Sequence, residues 1–214
     1  MKHFKLRTDL TIKVGEKTLY RIEATKDIEK FGVKAGDLGG YIEKEDNLSG
    51  NAWVSGDALV YDDALVSGNA LVYDDAFVSG NALVSGNAWV YGNARVSGNA
   101  WVYGNAKVRG DASVDGDAQV YGNAQVYGNA QVRGDTIKKE NDLINITSNV
   151  GSYIITITPK HIKIGCQYHS KTAWFNFTEN EIVKMGGEKA VEWWKTWKPI
   201  LKQICDSFAS NKEE

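Results

Sequence analysis

Residues 50–73 read GNAWVSGDALVYDDALVSGNALVY, and the same six-residue pattern continues to Arg133. Alanine recurs at every sixth position from Ala52 to Ala130, and valine does so from Val54 to Val132. This makes fourteen consecutive hexads without an insertion or a deletion. A fixed short period of this kind is the signature of a solenoid.

Each hexad has the pattern of one extended side and one corner. Alanine and valine are two residues apart, so both side chains point to the same, inward face. The residues that follow each of them point outward. Glycine followed by asparagine or aspartate then supplies the positive φ that a corner needs. Three hexads close a triangular coil of 18 residues, and the repeat therefore predicts about five coils.

A small residue two positions before an aliphatic one resembles the hexapeptide family of left-handed β-helices, and the left hand is carried over from that resemblance. The predicted fold class is mainly β: a left-handed parallel β-helix with an N-terminal β-hairpin cap and a small C-terminal α+β domain. The predicted boundaries are 1–41 for the cap, 42–136 for the β-helix and 137–214 for the C-terminal domain.

Residues 18 apart in the sequence should stack on one another at the corners. One corner column contains only asparagine, which predicts a ladder of side-chain amides; its members are Asn51, Asn69, Asn87, Asn105 and Asn123. The other columns contain aspartates, including Asp57, Asp75 and Asp111 in one and Asp63, Asp117 and Asp135 in the other. Stacked carboxylates could hold a cation, and solvated corners are the simpler interpretation.

The flanks on both sides of the repeat predict hairpins and helices. TIKV and TLYRIEA around GEK (residues 15–17) alternate as a hairpin does, and so do LINITS and YIITITPKHIKIG around the turn NVGS. Thr178 and Glu181 form a capping-box pattern, and the glycines at 186 and 187 should end that helix. Pro199 should kink or split the Trp-rich amphipathic helix that follows.

The outward residue after alanine is apolar in the first half of the repeat and polar in the second. Such a patch exceeds what a soluble monomer normally exposes, so we expect a cover: the terminal segments, another copy of the chain in a homo-oligomer, or a different partner. The candidate partner-binding residues, the first six taken as one aromatic side, are Trp53, Tyr73, Trp89, Tyr91, Trp101, Tyr103, Trp174, Trp193 and Trp194.

The composition argues against several classes of protein. The net charge is −2, which does not favour nucleic-acid binding, and the repeat is too weakly acidic to imitate DNA. No apolar run approaches the roughly 18 residues of a membrane span, and the N-terminus lacks a signal peptide. Two cysteines are too few for a disulfide framework. We therefore expect a cytoplasmic protein that does not bind membranes.

Enzymatic activity is not expected. Hexapeptide-repeat acyltransferases and carbonic-anhydrase-like enzymes use histidines on or beside the coils. Here the histidines are His3, His161 and His169, and none lies in the hexads. Cys166 and His169 form a weak candidate metal pair, for which a buried cysteine beside a surface histidine is the simpler interpretation. No cofactor is expected.

The flanking segments resemble those of prophage-encoded bacterial solenoid proteins. The resemblance lies in FGVKAGDLGGYIEKEDNLS, in the tail ITITPKHIKIGCQYHSKTAWFNFTENEIVKM, and above all in Ile164–His169 followed by Trp174. It implies no activity. It favours an accessory protein of a phage or prophage that binds and inhibits a host defence or regulatory protein. The alternatives are an oligomeric sponge for a nucleotide-type signal, a hexapeptide-repeat acyltransferase and a structural self-assembling protein.

Overall fold

The hexads fold into the three-sided coil that their spacing predicts, with one short strand on each side. In the computed structural model of the protein, residues 2–147 and 153–210 are described. They fall into two compact units that divide between Asn141 and Asp142. The first unit contains the N-terminal flank and the coil, and the second contains the C-terminal sheet and helices.

The first unit is built from three flanking strands and fifteen strands of the coil. The flanking strands are β1 (Phe4–Val14), β2 (Lys17–Ala24) and β3 (Leu38–Ile42). The strands of the coil are β4 (Trp53–Val54), β5 (Leu59–Val60), β6 (Leu65–Val66), β7 (Leu71–Val72), β8 (Phe77–Val78), β9 (Leu83–Val84), β10 (Trp89–Gly92), β11 (Arg95–Val96), β12 (Trp101–Val102), β13 (Lys107–Gly110), β14 (Ser113–Asp115), β15 (Gln119–Val120), β16 (Gln125–Val126), β17 (Gln131–Arg133) and β18 (Thr136–Ile137).

These strands stack into three parallel sheets, which are the three sides of the coil. The aromatic side consists of β4, β7, β10, β13 and β16, and the third side of β6, β9, β12, β15 and β18. The cap side consists of β3, β5, β8, β11, β14 and β17, and is continued by β2 and β1. The alanine and valine of all fourteen hexads are buried and form the core. A β-solenoid of about five turns, as predicted, is thus confirmed; its left hand stays a prediction.

The corners adopt the left-handed conformation that the glycines were expected to supply. Two hexads begin with aspartate instead of glycine, and there Asp62 and Asp74 have φ of 61° and 59°. Aspartate tolerates this region better than most residues because its short side chain can form local hydrogen bonds. Asp74 Oδ2 accepts a hydrogen bond from the backbone N–H of Gly92 in the next coil, at 3.2 Å. The side chain therefore links two coils where glycine is missing.

Side-chain amides link successive coils, as predicted. Asn87 Nδ2 donates to Asn105 Oδ1 at 3.1 Å, and Asn105 donates to Asn123 at 3.3 Å. In another column Asn99 Nδ2 donates to Asp117 Oδ1 at 2.9 Å, so an amide rather than a second carboxylate lies against that aspartate. Within residues 2–147 and 153–210, no group of three or more His, Cys, Asp or Glu side chains could hold a metal ion.

The last coil is one residue shorter than the others. Gln119 pairs with Thr136 and Val120 with Ile137, which is a spacing of 17 instead of 18 residues. Asp135 consequently occupies the inward position that alanine has elsewhere, and it is 1% exposed. The prediction that Asp135 belongs to an exposed corner column was therefore wrong.

The N-terminal flank is a hairpin, as predicted, and it extends the cap side. Strand β1 pairs with β2 in antiparallel fashion, with an irregularity between Arg7 and Thr11. Strand β3 pairs antiparallel with β2 and parallel with β5. The flank therefore continues the sheet beyond the first coil. Short 3₁₀ helices at Glu29–Phe31 and Glu45–Asn47 connect these strands to the coil.

The second unit is a four-stranded antiparallel sheet with three helices. Its elements are β19 (Ile144–Thr147), β20 (Ile154–Ile157), β21 (His161–Ile164), β22 (Gln167–Ser170), α1 (Lys171–Asn176), α2 (Glu179–Gly186) and α3 (Glu188–Ser210). Strands β19 and β20 form the predicted hairpin, whereas its predicted turn, NVGS, lies outside the described residues. The core combines sheet residues such as Ile155 with Trp174, Ile182 and Leu201 of the helices.

The helices begin and break largely where the sequence predicted. The capping box is confirmed, because Glu181 Oε2 accepts a hydrogen bond from the backbone N–H of Thr178 at 2.8 Å. Helix α2 ends at Gly186. Helix α3 runs through Pro199, so the expected split does not occur. Trp194 and Leu201 are buried on either side of the proline, and this packing offsets its lost hydrogen bond.

Candidate binding surface

The aromatic side presents two outward columns of side chains. The residues after alanine are Trp53, Leu71, Trp89, Lys107 and Gln125, and the residues after valine are Ser55, Tyr73, Tyr91, Arg109 and Tyr127. Leu71, Tyr73, Trp89 and Tyr91 are half-buried neighbours on strands β7 and β10 and the positions that follow them. We call these four residues the aromatic shelf.

Trp53 is covered by the N-terminal flank and is only 1% exposed. The ring of His3 lies 6.3 Å from its own ring. Strand β3 passes so close that a Cβ atom at Gly39 would lie 2.8 Å from Trp53 Cζ2 and 2.5 Å from Ile22 Cγ1. Only glycine permits this approach. The terminal cover expected for the apolar half is therefore confirmed for Trp53, which is not available as a surface contact.

A groove separates the shelf from the segment 28–38, which we call the strap. The strap is tied to a corner of the coil by Lys30, whose Nζ donates to Asn87 Oδ1 at 2.6 Å. The groove has a volume of about 370 Å³. Its lining residues are Phe31, Gly32, Val33, Asp37 and Leu38 of the strap and Trp53, Ser55, Leu71 and Tyr73 of the aromatic side.

The rings of the shelf are held in fixed relative positions. Tyr73 and Tyr91 stack with their centroids 4.7 Å apart and their planes 6° from parallel. Trp89 meets Tyr73 edge-on at 6.3 Å. Burial, and secondarily the neighbouring Tyr91 and Asp74, raise the pKa of Tyr73 to about 12. Tyr73 is therefore a neutral hydroxyl at physiological pH, able to donate or accept one hydrogen bond.

The shelf ends in a cationic row on the next coil. Lys107 Nζ lies 5.2 Å from the centroid of the Trp89 ring. Arg109 lies over the ring of Tyr127, with its Cζ 5.3 Å from the centroid. These are cation–π distances. The exposed aromatic surface thus has apolar and aromatic residues next to the strap and basic residues farther along the coil.

Trp101 and Tyr103 lie on the third side rather than on the aromatic side. Trp101 pairs with Leu83 and Gln119, and 48% of its surface is exposed. Tyr103 stacks on Tyr121 at 4.8 Å. The grouping of all six solenoid aromatics on one side was therefore wrong, because Trp101 follows Trp89 by two hexads and not by three.

The C-terminal tryptophans are core residues. Trp174 and Trp194 are 3% and 5% exposed, and Trp193 is buried with them. Trp174 Nε1 donates to the carbonyl oxygen of Ile162 at 2.7 Å, which fixes the ring between sheet and helices. Their amphipathic spacing thus reflects packing within the second unit, and their assignment as surface contacts has no support in their burial.

Cys166 and His169 do not converge with further metal ligands. Cys166 is an exposed free thiol in the turn between β21 and β22. The His169 ring packs edge-on against Trp174 and Phe177, at 5.3 and 5.0 Å. Its Nε2 lies 3.3 Å from Gln167 Oε1. These contacts give His169 a packing role in the second unit.

Together, the stacked parallel coils and their buried alanine and valine ladders define a β-solenoid repeat protein. A family model described as YdcK beta solenoid repeat matches residues 76–92, 88–104 and 118–134, all within the coil. The similarity therefore concerns the repeat. No curated protein matches the chain. Among the helices of the described residues, none has the length and apolar character needed to cross a membrane.

Proposed function

We propose that this protein is a non-catalytic binding protein whose aromatic shelf contacts a partner protein. The observation that carries the proposal is the set of Leu71, Tyr73, Trp89 and Tyr91 on one rigid sheet, half-buried and next to an open groove. Tyrosine and tryptophan are enriched among residues that dominate binding energy at protein interfaces. Rings already fixed by stacking lose little conformational freedom on binding.

The finer part of the proposal names the partner as a host defence or regulatory protein of a bacterium, which the solenoid protein inhibits in the cytoplasm. Its support is the resemblance of the segments around residues 31–49 and 155–185 to prophage-encoded solenoid proteins. An accessory protein of that kind acts by covering a surface of its target, and a rigid rod with an aromatic contact surface suits this role.

The test compares two exposed tryptophans on different sides. The wild type, Trp89→Asp and Trp101→Asp are used as baits in bacterial lysate, and the captured protein is purified and titrated by calorimetry. We expect Trp89→Asp to weaken binding by at least about 30-fold, the loss typical of an interface hot spot of about 2 kcal/mol. Trp101→Asp should bind like the wild type. Thermal unfolding of both variants checks that they remain folded.

The opposite outcomes are equally clear. Unchanged binding by folded Trp89→Asp would overturn the use of the shelf. Capture of the protein's own chain alone, lost in Trp89→Asp, would make the shelf an interface between copies and favour a self-assembling protein.

A further inference from the structure

One ring face of Tyr73 has no neighbouring ring. Its other face is covered by Tyr91, the residue 18 positions later, at 4.7 Å. The residue 18 positions earlier is Ser55, and Ser55 and Tyr73 line the same groove beneath the strap. The column of stacked rings therefore stops at a small side chain beside open space. We call this space, bounded by Ser55 and Tyr73, the vacant step.

Elsewhere in this coil, arginine side chains occupy the step next to a ring. Arg95 lies over Phe77, and Arg109 lies over Tyr127, each with its Cζ 5.3 Å from the ring centroid. In both pairs the two residues are 18 positions apart on the same side. The spacing between coils thus suits a planar guanidinium group stacked on an aromatic ring.

The charge of the groove favours a cation. Asp37 lines it together with Ser55 and Tyr73. Asp37 Oδ2 accepts a hydrogen bond from the backbone N–H of Lys34 at 2.7 Å, while Oδ1 takes no hydrogen bond from the described residues. None of the described residues that line the groove is basic. Phe31, Val33 and Leu38 offer an apolar wall for the methylene groups of a long side chain.

We propose that the vacant step binds an arginine side chain of a partner protein. The guanidinium group stacks on Tyr73 above Ser55 and pairs with Asp37. This inference rests on the proposed function, because it names the side chain that a partner inserts at the edge of the aromatic shelf. Lysine fits less well, since its compact, strongly hydrated ammonium neither stacks on a ring nor pairs in a fork geometry.

The probe is the peptide acetyl-Gly-Arg-Gly-amide, compared with the same peptide carrying lysine or the neutral arginine analogue citrulline. Methyl NMR signals of Leu38 and Leu71 report binding. We expect saturable shifts with the arginine peptide, with a Kd on the order of 1 mM, and binding at least about 5-fold weaker with the other two. Asp37→Asn should weaken the arginine peptide by about 5-fold, as loss of an exposed ion pair does.

A pair of matched variants tests the location. Ser55→Tyr fills the vacant step and should abolish binding of the arginine peptide. Ser85→Tyr fills the corresponding step beside Tyr103 on the third side, where the next corner residue is Asn87, and should leave binding unchanged. Thermal unfolding identifies any variant that fails to fold, in which case Asp37→Asn and the citrulline peptide still decide the question.

Three results would overturn the inference: no saturable shift up to about 20 mM arginine peptide, which lies well above the expected Kd, equal binding of the citrulline peptide, or unchanged binding by Ser55→Tyr. The proposed function is tested separately by Trp89→Asp. A partner protein that is lost by Trp89→Asp but bound normally by Ser55→Tyr would leave that function standing and remove the arginine site.

Discussion

His3 links the covering of Trp53 to pH. Its Nε2 lies 2.8 Å from the carbonyl oxygen of Ala52, and the ring is buried against Trp53 and Phe4. Burial lowers the pKa of His3 below its usual 6.5; the hydrogen bond to Ala52 opposes this, and the charges of Lys26 and Lys2 add to the lowering. The folded protein therefore holds a neutral imidazole where the unfolded chain would take up a proton.

The sign of the resulting pH dependence follows from linkage. Because the pKa of His3 is lower in the folded state, its contribution to stability is present above about pH 6.5 and is lost as the pH falls through that value. We expect the melting temperature of the wild type to fall more between pH 7.5 and 5.0 than that of His3→Gln, which does not titrate. Differential scanning calorimetry measures both; equal falls would remove His3 as the cause.

The environment of Trp53 shows what single residues conceal in sequence. Its place after an alanine predicted an outward side chain, and the side chain does point away from the coil axis. Its burial depends on β3 crossing it at Gly39, which joins residues far apart in the chain. The hexad pattern carries no information on this crossing, so Trp53 was included among the surface contacts.

At the scale of the strands, the inward alanines limit how much the coil can hold. Ala100 is fully buried, and its backbone carbonyl accepts a hydrogen bond from the N–H of Leu83 in the preceding coil at 2.9 Å. A larger side chain at this position has to displace neighbours that are themselves held by hydrogen bonds on every side. The alanine column is thus set by available volume.

We therefore expect Ala100→Leu to lower the free energy of unfolding by about 1–3 kcal/mol, as overpacking of a dense core does. The matched control is Trp101→Leu, one residue further along and exposed, which should change it by no more than about 0.5 kcal/mol. Urea unfolding followed by far-UV circular dichroism compares the two. Equal stability of Ala100→Leu and the wild type would mean that the coil can widen.

The sequence predicted those elements whose information is local. The strands of the coil, both hairpins and the capping box at Thr178 follow from periodicities and turn residues within short segments. The four-residue spacing of β21 and β22 and helix α1 were missed, although Ser170 is a sound N-cap and accepts from the N–H of Ala173. The shortening at Asp135 could not be seen, because a register is a relation between two strands and not a property of one.

For the first unit as a whole, the N-terminal flank closes one end of the coil. It buries Trp53 and Leu59 and pairs the edge of the cap side through β3. Without it, these side chains and the backbone groups of β4 and β5 would face solvent as an open edge, which favours association with other chains.

Deleting residues 2–38 should therefore make the protein associate in a concentration-dependent manner. Sedimentation velocity over a 100-fold range of concentration, on the order of 1 to 100 μM as used for weak interfaces, measures this. Adding Trp53→Lys to the deletion should reduce the association, because it places a charge in the exposed patch. A deletion variant that stays monomeric and as stable as the full chain would show that the flank is dispensable.

The distribution of aromatics over the sides also belongs to this scale. Trp89 and Trp101 look alike in the sequence, each between alanine and valine. They differ because the coil turns through two corners between them, which places Trp101 on a side without a strap. Counting by 18 instead of by 6 would have separated them, and it is this separation that makes Trp101→Asp a control for Trp89→Asp.

The shortened last coil bears on polymerisation. A rod built of identical coils is a template on which another rod could add end to end, each strand finding a partner 18 residues on. At the C-terminal end of this coil the template is defective: the 17-residue spacing to Thr136 and Ile137 and the inward turn of Asp135 leave the three sides out of step. An incoming coil of regular length cannot satisfy all three sides at once. One missing residue thus limits the length of the rod to that encoded in a single chain.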